Sequence, residues 1–198
     1  MTTRTPTILL HGFVSHTTAN GPGTRAMFWV QGCTLGCQGC FNPATHTPMV
    51  ADPDKVKTPQ QLMEMVPDDV QGITISGGEP FQQSIPALLQ LVQLAQARGL
   101  TVVIFTGYEP WELLQRPSPD VSGILSIISN TDMLISGRYE RTKPSTKILL
   151  GSENQEILYP TKKYSPSDLS LVSRLEHIYS IETNTRTQTG IGTKGKVK

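Results

Sequence analysis

The chain has 198 residues, is 37% apolar and 17% charged, and carries a net charge of +1 at neutral pH. That length supports a sizeable core and reads most simply as a single domain over residues 1–198. Balanced charge without a basic stripe gives no footing for nucleic acid or an anionic membrane, and no apolar run is long enough to span a bilayer. Near the N-terminus the only apolar run is Ile8-Leu9-Leu10, too short for a secretory signal, so the expected compartment is the cytoplasm.

In chain order, Asn20-Gly21-Pro22-Gly23-Thr24 is a turn by composition, with partner contact as its candidate role and Arg25 beside it as a candidate docking charge. Ala26 to Val30 is a continuous apolar run, consistent with a buried strand that delivers the next segment at its carboxyl end. Trp29 within it reads as packing. Residues 42–58 are proline-rich and read as loop, followed by a short helix over Pro59–Val66 and a strand over Ile73–Ile75. Ser84 is an apt N-cap for a helix whose Leu88, Leu91, Val92 and Ala95 recur at helical spacing, with Gly99 as its stop. A β-branched strand over Thr101–Phe105, a short helix over Glu109–Leu114, a helix over Val121–Ile128 and a strand over Met133–Ile135 follow. His177–Glu182 and Arg186–Ile191 read as a terminal hairpin, and the basic tail Lys194–Lys198 as a frayed end. Strand and helix alternate, which argues for parallel α/β architecture, and the count suits an open partial (β/α) barrel rather than a closed eight-stranded one. In such folds ligands bind at the carboxyl ends of strands, where Cys33, Gly77 and Thr106 all fall.

The three cysteines of the chain, Cys33, Cys37 and Cys40, lie within eight residues. An odd number so closely spaced makes no disulfide framework and points to a metal site. Fully extended the segment would span about 25 Å, so it must turn back on itself to gather its sulfurs. Gly36 and Gly39, each directly before a cysteine, give the backbone that freedom. Three thiolates on a four-iron cluster leave one iron open to a ligand, whereas four close it. A structural zinc site with His46 as fourth ligand is the plainer alternative.

Cys-x-x-x-Cys-x-x-Cys resembles the signature of the radical S-adenosylmethionine (SAM) superfamily, and Ser76-Gly77-Gly78-Glu79-Pro80 resembles the segment that lines the methionine moiety of SAM there. Asn20–Arg25, Gln31-Gly32-Cys33, Gln38–Pro43, Phe105-Thr106-Gly107-Tyr108 and Leu150–Gln155 are similar to segments of the activating proteins of anaerobic (class III) ribonucleotide reductases. The resemblance covers about residues 20–158 and leaves 159–198 as an extension. It implies a 4Fe–4S cluster on the three cysteines, with SAM chelating the fourth iron. It implies reductive cleavage of SAM to a 5′-deoxyadenosyl radical that takes a hydrogen atom from a glycine of a glycyl-radical enzyme. An electron donor such as flavodoxin or ferredoxin is implied too. By similarity Ser76, Gly77, Gly78, Glu79, Pro80, Thr106 and Gly107 surround SAM, Glu79 accepts from its ammonium and Arg138 pairs with its carboxylate. The glycine pair is expected to let the backbone approach that ligand. Ser136 stands where the related proteins carry an aspartate, which withdraws a charge from any cation site there. A radical enzyme acting on a peptide or small molecule is the second reading; an electron carrier or zinc-bound module is the third.

Overall fold

The computed structural model describes residues 5–47, 52–117, 120–180 and 185–191. The tail Lys194–Lys198, and Ile181 and Glu182 of the expected hairpin, lie outside the described residues. Strands β1 (Ile8–Thr17), β2 (Arg25–Val30), β3 (Val56–Lys57), β4 (Gly72–Gly77), β5 (Thr101–Phe105), β6 (Met133–Ser136) and β7 (Glu156–Leu158) form one open sheet in the order β3-β1-β2-β4-β5-β6-β7. Its centre, β2-β4-β5-β6, is parallel, as the alternating pattern implies. The flanks are antiparallel: β1 pairs with β2 and β3 on one side, and β7 with β6 on the other. The α/β open-sheet expectation therefore holds, with antiparallel edges that strand–helix alternation does not foretell. β8 (Glu176–Ser180) and β9 (Thr185–Thr189) form a separate antiparallel hairpin.

Helices α1 (Pro59–Glu64), α2 (Ile85–Ala97), α3 (Pro110–Leu114) and α4 (Asp120–Ser129) are the connections. Thr58 starts α1 through a reciprocal capping box with Gln61, two orphan donors being satisfied at once. α2 buries Ile85, Ala87, Leu88, Leu91, Val92 and Ala95. It ends in a Schellman turn, with Gly99 N–H on Gln96 O (2.8 Å) and Leu100 N–H on Ala95 O (3.0 Å), and Gly99 takes the left-handed φ of 73° this needs. Ser84 occupies the N-cap position without a side-chain capping bond.

The parallel strands alternate between two faces. Ala26, Phe28, Val30, Ile73, Ile75, Val102 and Ile104 join the α1, α2 and α4 residues in the larger apolar core. Full burial of each such side chain contributes about 1.5–3 kcal/mol. The opposite face carries Val103, Met133 and Ile135, covered by Leu149, Leu150 and Val172 with Tyr159, Tyr164 and Leu169 beside them. The extension after residue 158 thus packs on this second face.

Arg25 is not the exposed docking charge its place beside a turn suggests. It is wholly buried, and its guanidinium donates to Thr74 Oγ1 (2.8 Å), Thr101 Oγ1 (2.8 Å), Tyr164 OH (3.3 Å) and the carbonyls of Pro22, Ile73 and Thr101 (3.0, 2.6 and 3.0 Å). Strand alternation explains the correction: Arg25 shares the second face with Met27 and Trp29, beneath Tyr164. The Asn20–Thr24 turn is part of the same scaffold. Asn20 O accepts from Thr74 Oγ1 (2.9 Å), and Thr24 N–H donates to Gln71 Oε1 (3.0 Å).

Candidate active site

The cysteine loop leaves the carboxyl end of β2 and is closed at its base by Gln31. The buried amide of Gln31 donates to Ala44 O (3.2 Å) and Thr47 O (2.6 Å), pulling the returning chain against the outgoing one. Backbone bonds from Gly32 N–H to Thr45 O (2.8 Å) and Cys33 N–H to His46 O (3.1 Å) complete the closure. Inside it Gly36 and Gly39 take positive φ, 65° and 78°, so the turning residues expected from sequence are the ones that turn. All three cysteines are free and half-buried, and burial pushes the thiols of Cys33 and Cys40 up. A metal therefore has to displace their protons on binding.

The Ser76–Pro80 segment begins at the end of the neighbouring strand β4 and is stitched to the loop's origin. Gly78 N–H donates to Val30 O (2.7 Å) and Glu79 N–H to Gly32 O (2.9 Å). A Cβ at Gly78 would stand 2.3 Å from Gly32 O, and one at Gly77, where φ is 102°, 2.7 Å from Trp29 Cα. The glycine pair is thus demanded by close passage of one backbone past another, rather than by a ligand alone as the sequence suggests. Further clamps come from Gln82, which accepts from Thr34 N–H (3.0 Å) and donates to Thr34 Oγ1 (2.9 Å) and Tyr108 OH (2.8 Å).

Glu79 is buried, and its carboxylate accepts from Phe81 N–H (3.0 Å), Thr106 Oγ1 (2.8 Å) and Gly107 N–H (2.8 Å). Desolvation raises its pKa to about 7, against the opposing pull of those donors and of the Arg116 charge. Two distant motifs, the Gly-Gly-Glu-Pro turn and Thr106-Gly107, are therefore joined through one carboxylate.

These pieces surround one cavity of about 180 Å³. Cys33, Cys37, Cys40, Ser76, Gly77, Gly78, Glu79, Thr106 and Gly107 all line it. Pro80 and Arg138 do not. Pro80 is buried at the start of a 3₁₀ turn, Pro80–Gln82. Arg138 donates to Glu112 Oε2 (2.7 Å) and lies 5.7 Å over the Tyr108 ring. The ion pair with Glu112 holds its pKa up, so its charge has a partner at the rim. Ser136 is buried, its Oγ 3.5 Å from Glu156 Oε1. No sequence signal marks Trp29 as a cavity residue or, within the Leu150–Gln155 segment, the role of Gln155, whose side chain holds Gly137 O (2.8 Å) and Gly151 N–H (2.8 Å).

The donor set fits an iron–sulfur cluster. Three thiols share one turn, and a fourth cysteine is absent from the chain. Three thiolates suit a four-iron cluster with one iron left open.

Fold and site define an iron–sulfur α/β protein of the radical SAM type. Residues 19–158 match the family described as the 4Fe-4S single cluster domain, and the chain belongs to that family. It is 30% identical over 142 residues to the anaerobic ribonucleoside-triphosphate reductase-activating protein of Enterobacteria phage T4, covering 70% of this chain and 85% of that protein. The protein of the same description from Escherichia coli K12 is 31% identical over 145 residues, covering 70% and 90%. The crystal structure of QueE from Escherichia coli matches 51% of this chain and 53% of its own, at 20% identity and a TM-score of 0.43.

Proposed function

We propose that this protein activates an anaerobic ribonucleotide reductase by installing a glycyl radical in it. The observation that carries the reading is the convergence of the cysteine loop and the Gly-Gly-Glu-Pro turn on one cavity, in a chain whose relatives bear that activity in their names. Cys33, Cys37 and Cys40 would hold a 4Fe–4S cluster. Bound there, cluster and SAM would supply one-electron cleavage of SAM and removal of a hydrogen atom from the partner's glycine.

The chain's own residues supply placement. Ser76, Gly77, Gly78, Thr106 and Gly107 present peptide and hydroxyl groups to SAM, while Glu79 faces its ammonium. Pro80 fixes the exit of the turn. Arg138 is bound to Glu112 and would have to turn from that partner to pair with the SAM carboxylate. The activase reading takes a flavodoxin or ferredoxin as electron donor and the cytoplasm as compartment. Among the described residues no helix is long and apolar enough to cross a membrane. A second reading, a peptide or small-molecule target, draws on Ser136 and on residues past 158 that lie outside the family match yet wall the cavity.

Anaerobic reconstitution with iron and sulfide, reduction, and addition of SAM should release 5′-deoxyadenosine. Adding a class III reductase should produce a glycyl radical detectable by electron paramagnetic resonance. Cys37→Ala should abolish cluster and cleavage together. Stoichiometric zinc with no iron uptake would sink the cluster, and deuterium passing from a small metabolite into 5′-deoxyadenosine would move the target.

A further inference from the structure

One wall of the cavity comes from beyond the family match. Gln188, Thr189, Gly190 and Ile191, at the end of β9, line the space that Cys33, Cys37, Cys40 and Glu79 line. Among the described residues none of the hairpin's belongs to either apolar core. Polar anchors hold it instead. The Glu176 carboxylate accepts from Thr17 Oγ1 (2.6 Å), from Thr18 N–H (3.0 Å) and from Thr18 Oγ1. The buried side chain of Asn20 donates to Thr189 Oγ1. An element tied down by a few polar bonds, without an apolar face of its own in the core, sits at the low end of local opening free energies.

The seat of this end of β9 is selective. Gly190 has a φ of 95°, and a Cβ there would lie 2.6 Å from Arg174 O and 2.8 Å from Ala19 Cβ. One wall is the lead-in to β8, whose partner Thr189 directly precedes Gly190, and the other follows Thr18, to which Glu176 of β8 is bonded. Ser173 N–H donates to Thr18 O (2.9 Å) and Arg174 Nη2 to Thr146 O (2.7 Å). With the end of β9 in place the cavity, at about 180 Å³, falls below the roughly 300–1,000 Å³ usual for ligand sites.

We propose that the seat filled by Gln188–Ile191 is the subsite for the substrate's glycine-bearing polypeptide segment, and that the carboxyl end of β9 occupies it, beside β8, until that segment displaces it. The proposal rests on the activase reading and adds where the partner's glycine sits and why only glycine enters: Ala19 and Arg174 O leave no room for a side chain. Asn20, which holds Thr189, would hand its amide to the incoming segment.

The test uses full-length, anaerobically reconstituted protein and a fluorescent, end-capped heptapeptide with the sequence of residues 185–191, Thr-Arg-Thr-Gln-Thr-Gly-Ile. Glu176→Gln weakens the anchor, and Gly190→Ala forces the end of β9 from its seat through the contacts above. Each should strengthen peptide binding at least about tenfold, because the competing internal segment is less often in place. Both should speed amide hydrogen exchange across β9. A peptide with alanine for its glycine should bind roughly ten- to a hundredfold more weakly. Equal binding of the two peptides, or peptide affinity unchanged in both variants, overturns the proposal. The measurement needs neither partner nor SAM cleavage; a reductase that acquires no glycyl radical while the peptide binds as expected counts against the activase reading alone.

Discussion

Glu79 should make the protein lose stability as pH rises through neutrality. Its pKa is about 7 in the folded chain against an ordinary 4.5, burial being the main cause. Below pH 4.5 the carboxyl is protonated folded or unfolded and contributes nothing to the difference. Between the two values the unfolded chain gives up its proton while the folded one keeps it, so stability falls by about 1.4 kcal/mol per pH unit. The total is about 3 kcal/mol, present as a deficit above pH 7, and about 2 kcal/mol of it develops between pH 5.5 and 8. Urea unfolding of the reduced, metal-free protein at those two pH values measures it directly. Glu79→Gln cannot titrate and should lose about 2 kcal/mol less over that interval, cancelling the histidines and every other common group. Its absolute stability will shift as well, since one amide end meets the Gly107 N–H donor where an acceptor stood. The change with pH is therefore the diagnostic quantity. Parallel profiles in the two proteins would refute the assignment of a raised pKa to this carboxyl. If SAM places its ammonium here, binding near pH 6.5 should release a proton, read as buffer-dependent binding heats.

Arg25→Met should cost at least about 3 kcal/mol, since carbonyls and hydroxyls that now accept from the guanidinium would be left buried and unpaired. Thermal unfolding should fall by roughly 6–12 °C at about 2–4 °C per kcal/mol; a normally stable variant deficient only in partner activation would return Arg25 to the docking surface. Gly78→Ala should destabilise by about 1–3 kcal/mol and reduce iron retained after reconstitution, because the new methyl meets a backbone oxygen that cannot step aside. Retention equal to the parent protein would show that the cysteine loop tolerates a shifted neighbour.

Much of the parallel core was legible because its strands carry short β-branched runs and its longest helix a clear period. β1 was not. Its ten residues, Ile8–Thr17, mix two histidines and a glycine with the apolar positions, and its pairing with β2 is irregular between Leu10 and Gly12. Ala26–Val30 is apolar throughout, so Trp29 reads as packing and the run does not reveal that alternate residues face a cavity. The place of Arg25 is illegible for another reason: burying a guanidinium depends on hydroxyls of Thr74, Thr101 and Tyr164, which only tertiary structure assembles. The cysteine and Gly-Gly-Glu-Pro motifs were legible from spacing and order. Their shared dependence on Glu79, Gln31 and Gln82 was not, because glutamine and glutamate are ordinary surface residues until their partners are known.

The two backbone bonds from Gly78 and Glu79 to the residues just before Cys33 act as a ruler. They set the interval between the thiol loop and the strand end in main-chain atoms, which side-chain replacement leaves in place. Drift in the residues between the cysteines can therefore retune the surroundings of the metal without altering its offset from the neighbouring strand. A one-residue insertion between Val30 and Cys33 would instead put the whole loop out of step with β4, and nothing on the loop itself would restore the measure.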